Sequence, residues 1–511
     1  MRTSAAFVLS FALVSLTSSP STFALDEKTV ASSEATPAKA PQTQIFTSEH
    51  QLGVGGRTVD YTATAGTMLM KDDAGKPIAL FGYTAYFENG PDSSERPILF
   101  AYNGGPGSAS IWLHMGILGP QRVVVTDADF TPPGPFKRVA NEYSILDHAD
   151  LVMIDPVGTG FSKPVGEAEG KDFWGVDQDI DSVSNFIARY VTENGRWMSP
   201  KYLLGESYGG MRSGGVAYRL LKTHGLALNG VILVSPYLDF VAGNPGIGID
   251  LPHVLFFTTY AATAWYHDVI PDKEADLLTF LEQAEHFAET VYAPALFKGS
   301  SLSEAERREV LAGMTRFTGV SEDYWDRANL RIDESQFLKE LLRDNKETTG
   351  RIDSRFKGGS LNHIAERFVY DPFGSAVGPA FTAAFNDYYR SDLGVDIERA
   401  YVVSDELWRN WDESHKSPET PTWYNKLPFA NTAVDLTYAM VQNPNMRVLV
   451  QQGYFDLATP YGVTEYVLDH MDIGLELREN LTVRYYEAGH MMYVHAPSMA
   501  KFKEDLADFI E

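Results

Sequence analysis

Apolar runs with few polar interruptions recur along the chain, at Ile98 to Tyr102, Leu151 to Ile154, Tyr202 to Leu204, Val231 to Val234 and Met446 to Gln451. A strand covered by helices on both faces has no polar side, so short continuous apolar runs predict the buried centre of a mostly parallel sheet. The period changes between them. Val176, Ile180, Val183, Ile187 and Val191 fall at helical spacing and predict an amphipathic helix ahead of the run at 202. A second helix is expected from Met211 to Thr223. Strand, helix, strand, helix, strand is the doubly wound α/β pattern. Upstream, alternation over Thr58 to Met70 and Ile78 to Phe87 predicts antiparallel strands. Downstream, Leu481 to Tyr486 reads as a strand, and Met499, Phe502, Leu506 and Phe509 as one face of a closing helix.

The pattern is interrupted from about Phe240 to Tyr389, where helical signals dominate and Ser303-x-x-Glu306 and Asp333-x-x-Gln336 read as capping boxes. This predicts a helical cap insertion, residues 240–395, over the carboxyl ends of the strands, splitting the core into 46–239 and 396–511. A separate domain with its own activity is the alternative. At the N-terminus, Arg2, the apolar stretch Ala5 to Leu16 and the small-residue segment ending Thr22-Phe23-Ala24 have the layout of a secretory signal peptide, residues 1–24. A membrane anchor is the alternative, but the run is shorter than the ~20 residues a spanning helix needs. Residues 25–45 then read as a flexible linker, and export to the periplasm or the extracellular space is expected.

Composition narrows the partners. The 511 residues carry 42 Lys+Arg against 68 Asp+Glu, a formal net charge of −26, which repels nucleic acid and anionic lipid surfaces. Neither is an expected partner, and no membrane association is expected once a signal peptide is removed. The absence of cysteine excludes disulfides, thiol catalysis and cysteine-ligated metals. No metal or cofactor is expected. Asp177-Gln178-Asp179-Ile180-Asp181 could be offered as a calcium loop, but it falls within a helical pattern and reads as a solvated face.

The chemistry centres on Gly205-Glu206-Ser207-Tyr208-Gly209-Gly210, between an expected strand and an expected helix. There it reads as a nucleophile elbow, a strained turn that lifts Ser207 above the edge of the sheet. A serine hydroxyl needs a histidine to take its proton and a carboxylate to orient that histidine. In this arrangement the partners follow in the order Ser, Asp, His, from loops after later strands. Asp456, after the run at 446, and His490, after the strand at 481, occupy those positions; Asp412, Asp435 and His495 are the rivals. For the oxyanion of a tetrahedral intermediate, the Tyr208 amide is one donor, and the loop Asn103-Gly104-Gly105-Pro106-Gly107 offers the other. That loop could instead cradle a phosphate, although it lacks the Gly-Lys-Ser/Thr ending of a P-loop.

Taken together, Asn-Gly-Gly-Pro-Gly at 103–107, Asp155 with Gly158-Thr159-Gly160-Phe161-Ser162, Gly-Glu-Ser-Tyr-Gly-Gly at 205–210, Asp456 in Gly-Tyr-Phe-Asp-Leu-Ala-Thr-Pro, and Ala-Gly-His-Met at 488–491 resemble the serine carboxypeptidases of peptidase family S10, in their bacterial branch. The resemblance implies an α/β-hydrolase fold with helices on both faces of the sheet. It also implies removal of C-terminal residues from peptides with a free C-terminus. By it Ser207 is the nucleophile, His490 the base and acid, and Asp456 its orienting partner. Gly105 and Tyr208 supply the oxyanion amides, while Asn103 and a protonated Glu206 bind the substrate's α-carboxylate. A carboxyl can hydrogen-bond to a carboxylate only while it keeps its proton, so peptide hydrolysis is expected to be favoured under acidic conditions. The chain departs from the family at Ser108, where many relatives carry a disulfide cysteine, and at Ala101, where tryptophan is common. An esterase or acyltransferase using the same three residues, and a non-catalytic binding scaffold, are the other functional readings.

Overall fold

The computed structural model describes residues 41–511 except Pro91, Ser93 and Asp272; the expected signal peptide and residues 25–40 of the expected linker lie outside the described residues. From residue 45 the chain enters a hairpin. β1 (Ile45–Val54) and β2 (Arg57–Lys71) pair antiparallel from Ile45 opposite Gly66 to Val54 opposite Arg57. The turn is Gly55-Gly56, at φ of +58° and +74°, a two-residue connection that needs left-handed backbone at both positions. β1 is a long main-sheet strand that the hydrophobic pattern does not announce, because nearly every residue in it is at least partly exposed; Gly55-Gly56 is the signal that could have found it.

β3 (Pro77–Glu88) continues antiparallel from β2 and pairs antiparallel with β5 (Asp150–Asp155), beyond which every neighbour is parallel. That parallel part comprises β5, β4 (Ile98–Tyr102), β6 (Lys201–Glu206), β7 (Gly230–Val234), β8 (Arg447–Gly453) and β9 (Leu481–Tyr486). The spatial order is β1-β2-β3-β5-β4-β6-β7-β8-β9, with the short Lys163–Pro164 strand paired to β3 as the tenth member. All five residues of β4, all six of β5 and of β6, and all five of β7 are buried, as the continuous apolar runs require.

Helices cover both faces. α1 (Val176–Glu193) and α2 (Tyr208–His224) pack on one, where Ile180, Val183 and Ile187 join Phe100 and Leu203 in a single buried cluster. On the other face Leu99 and Leu204 join Phe381 of α6 (Pro372–Asp387) and Phe502 of α8 (Ala496–Ile510). Adjacent residues of β4 and of β6 thus serve opposite cores, the consequence of a two-residue pleat. This is the α/β-hydrolase architecture. Between β7 and β8 the chain is mainly helical, including α3 (Leu251–Tyr266), α4 (Glu304–Thr318), α5 (Glu334–Glu340), α6 and α7 (Ala433–Gln442). Both expected capping boxes are present, Ser303 with Glu306 and Asp333 with Gln336.

One expectation is overturned. The acidic run 177–181 lies on α1, yet it is not a solvated face. Asp179 is buried and accepts from Nε of Arg212 on α2 at 2.7 Å, and Asp177 pairs with Nδ1 of His415 at 2.6 Å. The run sits where α1 meets α2 and the loop carrying His415, so two of its three carboxylates face neighbouring protein rather than water. Among the described residues no group of three or more His, Cys, Asp or Glu is placed to hold a metal ion, and no helix is long and apolar enough to cross a membrane.

Candidate active site

The last residue of β6 is Glu206, and Ser207 follows at φ +63° and ψ −128° before α2 begins at Tyr208. A non-glycine residue at this φ is held there only when its surroundings fix it. Here the Ser207 amide donates to the Val234 carbonyl at 2.9 Å, and the Ser207 carbonyl accepts from the amides of Gly210 (2.8 Å) and Tyr237 (3.0 Å). Gly205 cannot be larger, since a Cβ there would lie 2.1 Å from the Gly209 carbonyl oxygen. Sequence and geometry agree on an elbow that presents Ser207 at the N-terminus of a 17-residue helix.

Asp456 stands in the loop after β8, fully buried, with Oδ1 accepting from the amides of Ala458 and Thr459 at 2.9 Å each. Its Oδ2 meets Nδ1 of His490 at 2.8 Å and accepts from the Thr459 hydroxyl at 2.7 Å. A carboxylate only accepts, so Nδ1 carries the proton and Nε2 is left as the basic nitrogen. The His490 loop is pinned by its own backbone: the His490 amide donates to the Ile352 carbonyl at 2.8 Å, and the His490 carbonyl accepts from the Ser235 hydroxyl at 2.8 Å. Burial opposes a charged imidazole, but the charge and hydrogen bond of Asp456 outweigh it and raise the proton affinity of His490. The rivals are engaged elsewhere. His495 bonds the Ser498 hydroxyl, Asp435 pairs with His415, and Asp412 bonds Ser414 and Lys426.

Ser207 and His490 line one cavity of about 660 Å³, together with Asn103, Gly105, Glu206, Tyr208 and Thr459. The Asn103–Gly107 loop leaves the end of β4 and lies directly against the elbow; a Cβ on Gly104 would come within 2.5 Å of the Tyr208 amide nitrogen. The Asn103 side chain is buried. Its Oδ1 accepts from the Leu113 amide at 3.0 Å, and its Nδ2 donates to Oε1 of Glu206 at 2.9 Å. Glu206 is itself buried, with Oε2 accepting from the Tyr493 hydroxyl at 2.7 Å. Burial pushes its carboxyl up to about 7, against the opposing pull of the His490 charge and of the hydrogen bonds from Tyr493 and Asn103; the charge of Asp456 adds to the rise. The structure therefore brings Asn103, Gly105, Glu206, Ser207, Tyr208 and His490 to one cavity, with Asp456 directly behind His490. The other cavity walls come from Tyr237, Phe256, Arg351, Phe373, Trp408 and Trp411, contributed by segments after β7. Sequence reasoning did not single these out, nor Thr459 and Tyr493, whose contacts only folding creates; a Thr three residues after Asp456 and a Tyr three after His490 were their only local signals.

The family model for serine carboxypeptidase matches residues 58–496, most of the chain. Serine carboxypeptidase-like 36 of Arabidopsis thaliana is 28% identical over 171 residues, 32% of this chain and 33% of that protein. Pheromone-processing carboxypeptidase KEX1 of Saccharomyces cerevisiae is 33% identical over 129 residues, 23% of this chain and 16% of that protein. The chain thus aligns with a third or less of the length of these curated relatives. A solved proline iminopeptidase from Mycobacterium smegmatis superposes with a TM-score of 0.37 at 14% identity, covering 87% of this chain and 97% of that one. Given a family match that runs from β2 to the start of α8 and takes in the elbow, the Asn103 loop, Asp456 and His490, the chain belongs to the serine carboxypeptidase family.

Proposed function

We propose that this protein is an exported serine-type carboxypeptidase that releases C-terminal residues from peptides through an acyl-enzyme on Ser207. The observation that carries this reading is the buried carboxyl of Glu206, braced by Asn103, in the same cavity wall as Ser207 and His490. In the proposed cycle, Nε2 of His490 takes the Ser207 proton as Oγ bonds to the scissile carbonyl carbon, and the carbonyl π pair moves to oxygen beneath the amides of Gly105 and Tyr208. Collapse of that intermediate breaks the C–N bond, and His490 returns its proton to the departing amine. Water then repeats the sequence on the ester, giving up its proton to His490 and freeing Ser207.

The substrate's α-carboxylate faces Asn103 and Glu206 in this reading. With the Glu206 proton leaving near pH 7 and a peptide α-carboxyl ionised above about pH 4, the two can hydrogen-bond in the window between. Above it, two negative charges meet in a buried site and peptide hydrolysis declines. Glu206 and His490 titrate as a linked pair, each charge favouring the other, so a neutral Glu206 also leaves His490 more available as base. We read residues 240–395 as a cap supplying Phe240, Phe256, Arg351 and Phe373 to the pocket walls, and the layout of residues 1–24 as the basis for export to the periplasm or beyond.

The test compares a blocked dipeptide with its C-terminal amide from pH 4 to 8. The free acid is expected to be cleaved faster at acidic pH and to lose that advantage as pH rises. Equal cleavage of both at pH 5 removes the carboxylate site from the account. Replacing Ser207 with Ala should abolish hydrolysis of both; retained activity overturns the nucleophile assignment.

A further inference from the structure

Glu206 has a second brace that the reaction scheme does not use. Tyr493 lies on the short turn Met492–Val494, three residues beyond His490, and is 1% exposed. Its ring is seated against Gly116, where a Cβ would lie 2.4 Å from two ring carbons, and its edge meets Phe502 with centroids 6.4 Å apart. Fixed in this way, the hydroxyl reaches Oε2 of Glu206 at 2.7 Å, while Asn103 Nδ2 holds Oε1 at 2.9 Å. The two oxygens of one buried carboxyl are thus each met by a donor, from different loops.

We infer that Tyr493 is a positioning residue of the carboxylate site, its hydroxyl clamping Glu206 opposite Asn103 and thereby setting the pH at which peptide hydrolysis fails. This rests on the carboxylate reading proposed above. The physical argument concerns proton count. An ionised carboxylate accepts from both donors at full strength, whereas the neutral acid must turn one oxygen into a donor and accepts more weakly. Each donor therefore favours loss of the Glu206 proton. The phenol cannot relieve this by ionising, because burial and the neighbouring Glu206 charge hold its own proton well above the usual range. The other groups facing Glu206 are His490, whose charge acts in the same direction as Tyr493, and Asp456, which opposes it. Of the two donors to Glu206, Tyr493 is the one that the proposed scheme places against neither the substrate nor the reacting groups, so it can be silenced by itself.

The experiment measures kcat/KM against pH for a blocked dipeptide with a free C-terminus and for a blocked amino-acid ester lacking a carboxylate. It uses the wild-type protein, Y493F, E206Q and the Y493F/E206Q double variant. Phe keeps the ring in its seat against Gly116 and removes only the donor. The peptide-to-ester ratio of Y493F is expected to begin falling about one pH unit higher than in wild type, the size that loss of one of two carboxylate donors produces. At pH 8 Y493F then hydrolyses peptide several-fold faster, relative to ester, than wild type does. E206Q should flatten the ratio across pH, and adding Y493F to it should move nothing. Y493M, which fills the same space without a donor, must shift the ratio in the same direction as Y493F. A midpoint unmoved or lowered in the folded donor-free variants, with E206Q flattening the ratio, overturns the role of Tyr493 alone. A wild-type ratio that does not fall with pH, or one that E206Q leaves falling, overturns the carboxylate reading and this inference together.

Discussion

The pair Asp179 and Arg212 offers a test of how the elbow region is held together. Arg212 is fully buried; Nε donates to Asp179 at 2.7 Å, Nη1 donates to the Asn103 carbonyl at 2.8 Å, and the guanidinium lies 5.0 Å from the ring centroid of Tyr102 and 5.4 Å from that of Tyr208. Replacing Asp179 with Leu leaves a buried cation without its counter-charge, for which the expected cost is about 3–5 kcal/mol. Replacing Arg212 with Met strands a buried carboxylate, whose ionisation burial already opposes, and the cost is of the same order, about 3–5 kcal/mol. Substituting both at once removes the uncompensated charge, so the D179L/R212M variant should be more stable than either single variant. The assay is guanidinium unfolding followed by tryptophan fluorescence and far-UV circular dichroism, coincident transitions establishing one cooperative step. Each single variant should lower the midpoint by roughly half a molar, with the double variant recovering most of that. Because R212M also frees the Asn103 carbonyl, it should reduce kcat/KM for a peptide more than for an ester. Single variants within about 0.5 kcal/mol of wild type, or a double variant at the sum of the two, would refute the reasoning: the pair would then be a surface-like contact with no stake in the site.

Three further outcomes are expected. Asp456→Asn keeps the shape but presents an amide that no longer selects the Nδ1–H form of His490, and kcat should fall on the order of 10³–10⁴-fold with KM little changed. Burial opposes charging of His415, but its hydrogen bonds to Asp177 and Asp435 prevail and lift it to about 9, above its unfolded 6.5; the stability it contributes is complete below pH 6.5 and lost as pH rises through 9. His415→Asn should therefore remove a decline in stability of order 2 kcal/mol between pH 6.5 and 9, read from unfolding midpoints at successive pH values. Gly205→Ala drives a methyl into the Gly209 carbonyl oxygen and the Ser213 hydroxyl, at 2.1 and 2.4 Å, so it should destabilise the fold by at least about 1–3 kcal/mol and displace Ser207, abolishing hydrolysis; a stable, active variant would show the elbow to be slacker than drawn.

Much of this was legible along the chain because each signal is local. A two-sided buried strand has to be apolar through its middle, and β4, β5, β6 and β7 lie on, or within a residue or two of, the apolar runs. An elbow needs small residues at fixed offsets from its serine, and a capping box needs Ser or Asp three residues before Glu or Gln. The exposed edge strand β1 carries no such apolar signature, and its existence depends on pairing with β2.

Of the site, the sequence by itself determined the elbow, the Asn103 loop and two residues, Asp456 and His490, placed after late strands. Only the tertiary structure decided that Asp456 meets His490 at 2.8 Å across 34 residues, that Tyr493 clamps Glu206 across 287, and that Asp179 is turned inward to Arg212. The physical reason is common to all three. Periodicity reports which side of its own element a residue faces, whereas a charge or hydrogen-bond partner is chosen by which other elements the sheet order β5-β4-β6-β7-β8-β9 and its helices bring alongside. Within the acidic run that looks solvated in the sequence, Asp179 becomes a buried, ion-paired residue once α2 packs against α1.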